Sequence, residues 1–396
     1  IDCKTIIGKG SPNKAGTSKA HGSPLGPEEV IATKKALNLP DEEFYVPQSV
    51  KTYFEEKCVQ QQNLQHKWKS TFSTWREAYP DLAEEFSIMS KRSIPHDLEQ
   101  TLDQIDFGDS ISGRKASAKV IQVLGQKFPF IYGGSADLSG SDCTMIKEYP
   151  LISPHNFAGR NIKYGIREFG MTTIASGLFQ TQMILPFVGT FFTFTDYLRN
   201  ALRLACLSKF HIIFQLTHDS VFLGEDGPTH QPVEHLASLR AMPNIHVFRP
   251  ADAHEVKAAW ISALNYPYPT AIVLTRQNLP VLEDTQGNLV DKALKGGYIL
   301  KEEKRECNYV IFATGSEVSL ALDVANALEK QGKSTRVVSL PCWELFDAQD
   351  EEYKKHILGP DEAIKVSIEA GVSFGWQKFI GKDGIAVAID EFGLSA

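Results

Sequence analysis

From about residue 110 onward, short apolar runs alternate with longer amphipathic stretches, and this alternation constrains the fold more than any other feature of the sequence. Arg114 to Lys127 reads as a helix, and Phe130-Ile131-Tyr132 as a strand running into a Gly-rich turn. Met171, Ile174 and Leu178 share one helical face, as do Leu198, Ala201, Leu202 and Ala205. His211 to Leu216, His246 to Phe248 and Ala271 to Leu274 carry the signal of buried strands. A second unit starts near residue 295, with Tyr309 to Ala313 as a strand, Val318 to Leu328 as a helix closed by Gly332, and Arg336 to Leu340 as a strand. Such alternation implies an α/β fold of parallel sheets with helices on both faces. Ligands in these folds sit beyond the carboxyl ends of the strands, so functional residues belong in the loops that follow them.

The first hundred residues read differently. Residues 8 to 26 hold five glycines among lysines and form a loop. Pro27-Glu28-Glu29 suits a first helical turn, and Val50 to Met89 is a long, charged, helical stretch dotted with Trp and Phe. Both ends read as interrupted. Thr5-Ile6-Ile7-Gly8 resembles the close of a strand, and Ile385 to Ile389 a strand with nothing after it to finish its layer.

A length of 396 residues exceeds one ordinary hydrophobic core and predicts two or three domains. The net charge of −7 argues against a nucleic-acid binder. Its most apolar run, Met183 to Phe194, is too short and too interrupted to span a bilayer. Six scattered cysteines without a C-x-x-C pair fit reduced thiols rather than disulfides or a zinc site, so a cytoplasmic enzyme is expected.

The loop from Thr217 to Pro232 follows a strand and is dense in ionisable groups, among them His218, Asp219, Glu225, Asp226 and His230. Residues of this kind supply general acids and bases, or metal ligands. A zinc site is disfavoured because the two histidines stand 12 positions apart. Other residues have plain readings of their own. Glu168 is an acid at a helix start, Phe191, Phe194 and Tyr197 belong to an aromatic cluster, and Asp137 caps a turn. Arg114 and Arg276, taken singly, read as surface or helix-start residues.

His218-Asp-Ser220 followed by Gly224-Glu-Asp-Gly-Pro-Thr-His-Gln-Pro232 resembles the transketolase motif. Further family motifs recur in order: residues 8 to 22, Arg114-Lys-Ala-Ser117, Gly133-Gly-Ser-Ala-Asp-Leu138, Tyr164 to Gly170, Thr275-Arg-Gln-Asn278 and Ala313-Thr-Gly-Ser-Glu-Val318. The resemblance implies a thiamine-diphosphate enzyme of the pentose phosphate pathway. Such an enzyme transfers a two-carbon glycolaldehyde unit from a ketose phosphate to an aldose phosphate through the cofactor's ylid. It implies residues 1–79 as the end of a diphosphate-binding domain with a helical linker, 80–295 as a pyrimidine-binding domain, and 296–396 as a truncated C-terminal domain. It also implies a homodimer with cofactor sites at the subunit interface.

By the same resemblance Glu168 hydrogen-bonds the cofactor's aminopyrimidine and is catalytic, with Phe194 stacked on that ring and Phe191 and Tyr197 beside it. Asp137 and Leu138 match cofactor contacts. Arg114, Ser141, His218 and Arg276 match the residues holding the sugar phosphate. His21, His230 and Asp226 match groups that bind the ketose and move protons on it, His21 also touching the cofactor. The family's Gly-Asp-Gly motif for Mg²⁺ or Ca²⁺ and diphosphate does not occur in these 396 residues, so no metal ligand is expected in the chain. Taken alone, the chain is then expected to lack useful activity. A dihydroxyacetone synthase and an inactive, dimerising transketolase-like fragment are the rival readings; a deoxyxylulose-phosphate synthase fits the double-His loop and Arg276 less well.

Overall fold

The computed structural model describes residues 1–283 and 288–395, in two compact units that divide between Ala83 and Glu84. The first unit holds helices Pro27–Ala36, Gln48–Ala78 and the start of Pro80–Lys91. The long helical stretch read from the sequence is thus broken at Pro80, whose ring cannot sit inside a helix but suits the first turn of a new one. Thr5 to Gly8 is not a strand. The Ile6 and Ile7 carbonyls accept instead from the amides of Lys9 and Gly16, closing turns. The tightest point of this unit is Glu29, which accepts from the Ser11 hydroxyl and, at 2.9 Å each, from the amide and side chain of Asn13. Those bonds hold its carboxyl well below the usual range, at about 2. Ser11 and Glu29 are the buried residues among 1–83, and Gln48–Ala78 buries none of its residues.

In the second unit, β1 (Ser110–Ser112) pairs antiparallel with β8 (Asn278–Pro280). Six parallel strands form the main sheet: β2 (Ile131–Ser135), β3 (Asn161–Lys163), β4 (Leu185–Phe191), β5 (Ile213–Thr217), β6 (His246–Phe248) and β7 (Thr270–Leu274). They lie in the order β3-β2-β4-β5-β7-β6. Because successive side chains of a strand point to opposite faces, Phe187, Ile213 and Ile272 enter one core with Val120, Leu124 and Trp260. Val188, Phe214 and Val273 enter the other with Met171, Leu198 and Leu202. Helices Gly113–Lys127 and Ala253–Asn265 serve the first core, and Glu168–Gln180 and Thr195–Ser208 the second. This is the two-faced parallel sheet expected from the alternation.

Two expectations fail here. Gly133 and Gly134 lie inside β2, not in a turn after it, because the neighbouring atoms leave no room for a side chain. A Cβ on Gly133 would stand 1.8 Å from the Phe187 ring, and one on Gly134 1.9 Å from the Ile162 carbonyl oxygen. Ile174 does not share the buried face of Met171; it is 51% exposed, with Phe169 at 49%, so this helix keeps an apolar face outside the core.

The second sheet comprises β9 (Tyr298–Lys301), β10 (Tyr309–Ala313), β11 (Thr335–Ser339), β12 (Ile364–Ile368) and β13 (Ile385–Val387), in the order β13-β12-β10-β11-β9. Only β9 runs antiparallel. Among the described residues, no helix is long and apolar enough to cross a membrane.

Candidate active site at the carboxyl edge of the parallel sheet

The carboxyl ends of β2, β4, β5 and β7 release, in turn, Asp137, the Phe191 to Tyr197 segment, His218 and Arg276. The topology therefore gathers candidates that lie far apart in sequence. Phe191 is buried and Phe194 half-buried, and their rings lie nearly parallel, with centroids 5.9 Å apart and planes 9° from one another. Tyr197, 66% exposed, extends the row at 5.9 Å from Phe194, while Phe192 turns into the core.

Both ends of the polar loop return to this row. The His218 ring lies 3.6 Å from Phe191, centroid to centroid, and the His230 ring 5.3 Å from Phe194. Each imidazole is oriented by the hydroxyl before it, with Thr217 and Thr229 both 2.9 Å from the Nδ1 of the next residue. Burial, reinforced by the positive field of Arg114, Arg276 and His230, holds the His218 pKa down at about 3, so the ring is neutral at physiological pH. Asp226 stands exposed at the loop's tip between Gly224 and Gly227, both left-handed.

Arg114 opens the helix Gly113–Lys127. That start is fixed by Thr275, whose hydroxyl accepts from the Gly113 amide at 2.9 Å and whose carbonyl accepts from the Arg114 amide at 3.3 Å. Arg114 and Arg276 are brought to one place in this way. Arg114 Nη1 donates to the Ser141 carbonyl at 2.6 Å, and its buried Nε has no partner among the described residues. Arg276 is exposed. Asp137 adopts a left-handed conformation at φ 63° and points outward, with Leu138 half-buried behind it; the Leu138 amide donates to Ser135 at 3.0 Å.

Glu168 begins the helix Glu168–Gln180, which packs against β4 and the helix Thr195–Ser208. It is 7% exposed, and among the described residues no hydrogen bond or ion pair reaches its carboxylate. The residue is largely buried, but its carboxylate still reaches solvent, where a ligand can meet it. Together with a half-buried aromatic row, it fits a flat, hydrogen-bonding heterocycle such as the aminopyrimidine of thiamine diphosphate. His21 lies in the first unit, exposed after the one-turn helix Ser18–Ala20. His66, His96 and His356 are exposed.

Two residues absent from the sequence reading support this edge. Asp142 is buried beneath Ser141. Its carboxylate accepts from the Ser135 and Thr144 hydroxyls, and its carbonyl from Gln215, which in turn accepts from Ser117. Burial raises its pKa despite these bonds. Arg249, after β6, is fully buried and pairs with Asp219. An arginine closing an apolar strand run was the available signal for it; Asp142 had none beyond its place beside Ser141.

Comparison with known proteins agrees with this arrangement. Family models for "Transketolase, thiamine diphosphate binding domain", "Transketolase, pyrimidine binding domain" and "Transketolase-like TK C-terminal domain" match residues 1–95, 109–281 and 296–396. The chain is 43% identical over its whole length to the transketolase of Halalkalibacterium halodurans, of which it covers 60%. A Pichia stipitis transketolase mutant in complex with xylulose-5-phosphate superposes with a TM-score of 0.90 at 38% identity, over 99% of this chain and 58% of that one. A Leishmania mexicana transketolase does so with a TM-score of 0.90 at 39% identity, over 99% and 57%. The chain thus spans about 60% of the length of the curated relatives it matches. On the strength of these matches, and of the motifs gathered at one sheet edge, the chain belongs to the transketolase family.

Proposed function

We propose that the protein of which this chain is part transfers a two-carbon unit between sugar phosphates with thiamine diphosphate, as a transketolase of the pentose phosphate pathway. The observation that carries this reading is the largely buried Glu168, its carboxylate unpaired among the described residues, on a helix packed against the strand that ends in the aromatic row, with Arg114, Arg276 and a neutral His218 at the same sheet edge. Thiamine diphosphate, when bound, supplies the electron sink that lets a carbon–carbon bond beside a ketose carbonyl break and re-form.

The chain's residues then divide the remaining work. Glu168 holds the aminopyrimidine and shares a proton with it, Phe194 stacks on it, and Phe191, Tyr197, Asp137 and Leu138 complete its walls. Ring stacking adds about 0.5–1.5 kcal/mol beyond burial. Arg114, Arg276, Ser141 and His218 bind the phosphorylated end of the sugar. His230 and Asp226 serve the hydroxyl side, where His230 holds and moves protons. The metal, Mg²⁺ or Ca²⁺, is assigned no ligand in this chain.

The domains follow as 1–79, 80–295 and 296–396, a division supported by the break in compactness at Ala83. A homodimer is supported by the apolar face that Phe169 and Ile174 leave outside the core on the helix beginning at Glu168. A cytoplasmic place is supported by six cysteines, all free.

The test is an assay of the complete protein with xylulose 5-phosphate as donor and ribose 5-phosphate or formaldehyde as acceptor. Transfer to ribose 5-phosphate is expected; use of formaldehyde alone would make the protein a dihydroxyacetone synthase, and no transfer to either would sink both readings. Arg276→Ala should then raise KM for xylulose 5-phosphate about ten- to a hundredfold. This corresponds to one charge-assisted contact of about 1.5–3 kcal/mol. Erythrulose, which has no phosphate, should be used as well as before. Equal losses for both donors would show that Arg276 does not read phosphate.

A further inference from the structure

Behind His218 lies a group of charges that the proposed chemistry does not use. The guanidinium of Arg249 joins two parts of the chain. Its Nε and Nη2 donate to one oxygen of Asp219, at 3.1 and 2.8 Å. Its Nη1 donates to Glu317 and, at 3.2 and 3.1 Å, to the carbonyl and hydroxyl of Thr314. Thr314 and Glu317 flank Gly315 in the turn after β10, within the motif Ala313-Thr-Gly-Ser-Glu-Val318 that the site did not absorb. Gly315 is left-handed at φ 54°, and a Cβ there would stand 2.7 Å from Arg249 Nε, so the turn is moulded around the guanidinium. Glu369, following β12, completes the group by accepting from the Thr314 hydroxyl at 2.5 Å and from both terminal nitrogens of Arg240 at 2.8 Å.

What this group controls is the backbone of His218. His218 has φ 60°, a left-handed conformation that a residue other than glycine keeps only where its surroundings impose it. Thr217 and Phe191 hold the ring, and the clamped, 2% exposed Asp219 holds the peptide on the other side. We propose that Arg249, Thr314 and Glu317 are positioning residues for His218. The C-terminal sheet grips Arg249, Arg249 grips Asp219, and Asp219 keeps the imidazole in the field of Arg114 and Arg276. This rests on the reading of His218 as a sugar-phosphate ligand.

Two conservative variants of the complete protein test it: Arg249→Lys, whose single ammonium cannot fork between Asp219 and Glu317, and Asp219→Asn, which keeps the shape. The His218 imidazole is followed by NMR, its signal assigned by its absence in His218→Gln. In the unaltered protein it should stay neutral down to about pH 3, since burial and the charges of Arg114, Arg276 and His230 oppose protonation. In both variants its midpoint should rise by at least about one pH unit as the ring gains freedom and water. KM for the phosphorylated donor should rise about tenfold with kcat within about twofold, and the unphosphorylated donor should be unaffected. If Arg249→Lys does not fold, Asp219→Asn decides. A lowered melting temperature with the His218 titration and the donor preference unchanged would reduce the network to a structural weld and overturn the proposal. Absence of any two-carbon transfer by the unaltered protein would instead refute the functional reading, while the NMR measurement would still report on positioning.

Discussion

Glu168→Gln should lower two-carbon transfer by the complete protein about 10²- to 10⁴-fold, the usual worth of general acid–base assistance, while leaving the melting temperature nearly unchanged. The side chain is nearly isosteric, and among the described residues it forms no hydrogen bond or ion pair whose loss could disturb the fold. An amide cannot share a proton with a heterocycle as a carboxylate does. Near-normal turnover by the variant at saturating cofactor would remove Glu168 from the chemistry.

Gly134→Val should destabilise the second unit by about 4 kcal/mol, at the severe end for a single substitution. The Cβ would meet the Ile162 carbonyl oxygen at 1.9 Å and the Tyr164 ring at 2.8 Å. The first of these is backbone in a paired strand, so it cannot swing aside as a flexible side chain would. Valine favours strands, so a loss here isolates steric exclusion from propensity. Denaturant titration followed by circular dichroism measures it; a midpoint equal to that of the unaltered protein would mean that β2 and β3 separate easily.

The alternating pattern was readable because burial on a helix or a strand leaves a period in the sequence. Leu198, Ala201, Leu202 and Ala205, read as one face, are all buried, and Thr270–Leu274 encloses the run Ala271 to Leu274. Gly133-Gly134 misled because a glycine pair after an apolar run has the composition of a turn; what distinguishes it is crowding by Phe187 and Ile162, which no local pattern records. Ile174 misled because periodicity identifies an apolar face without saying what covers it. At the site, motif residues such as His218 and Arg114 could be named from the sequence. Their mutual placement could not, nor could the Arg249 network, whose partners lie 30, 65 and 68 positions away along the chain.

The scarcity of buried side chains in residues 1–83, where the Ser11–Glu29 knot stands in place of a core, divides the chain by rate of exchange with solvent. Amides in β4, β5 and β7 are enclosed between two layers of side chains, so they meet deuterium only when the whole unit opens. Amides along Gln48–Ala78 need only local fraying, because no buried residue of that helix must be exposed first. Pulse labelling of the 396-residue chain should therefore fill the helix within minutes while the sheet stays protiated. A protease at low concentration should cut near Tyr53 or Trp68, both more than half exposed, long before it reaches the site at the sheet's edge.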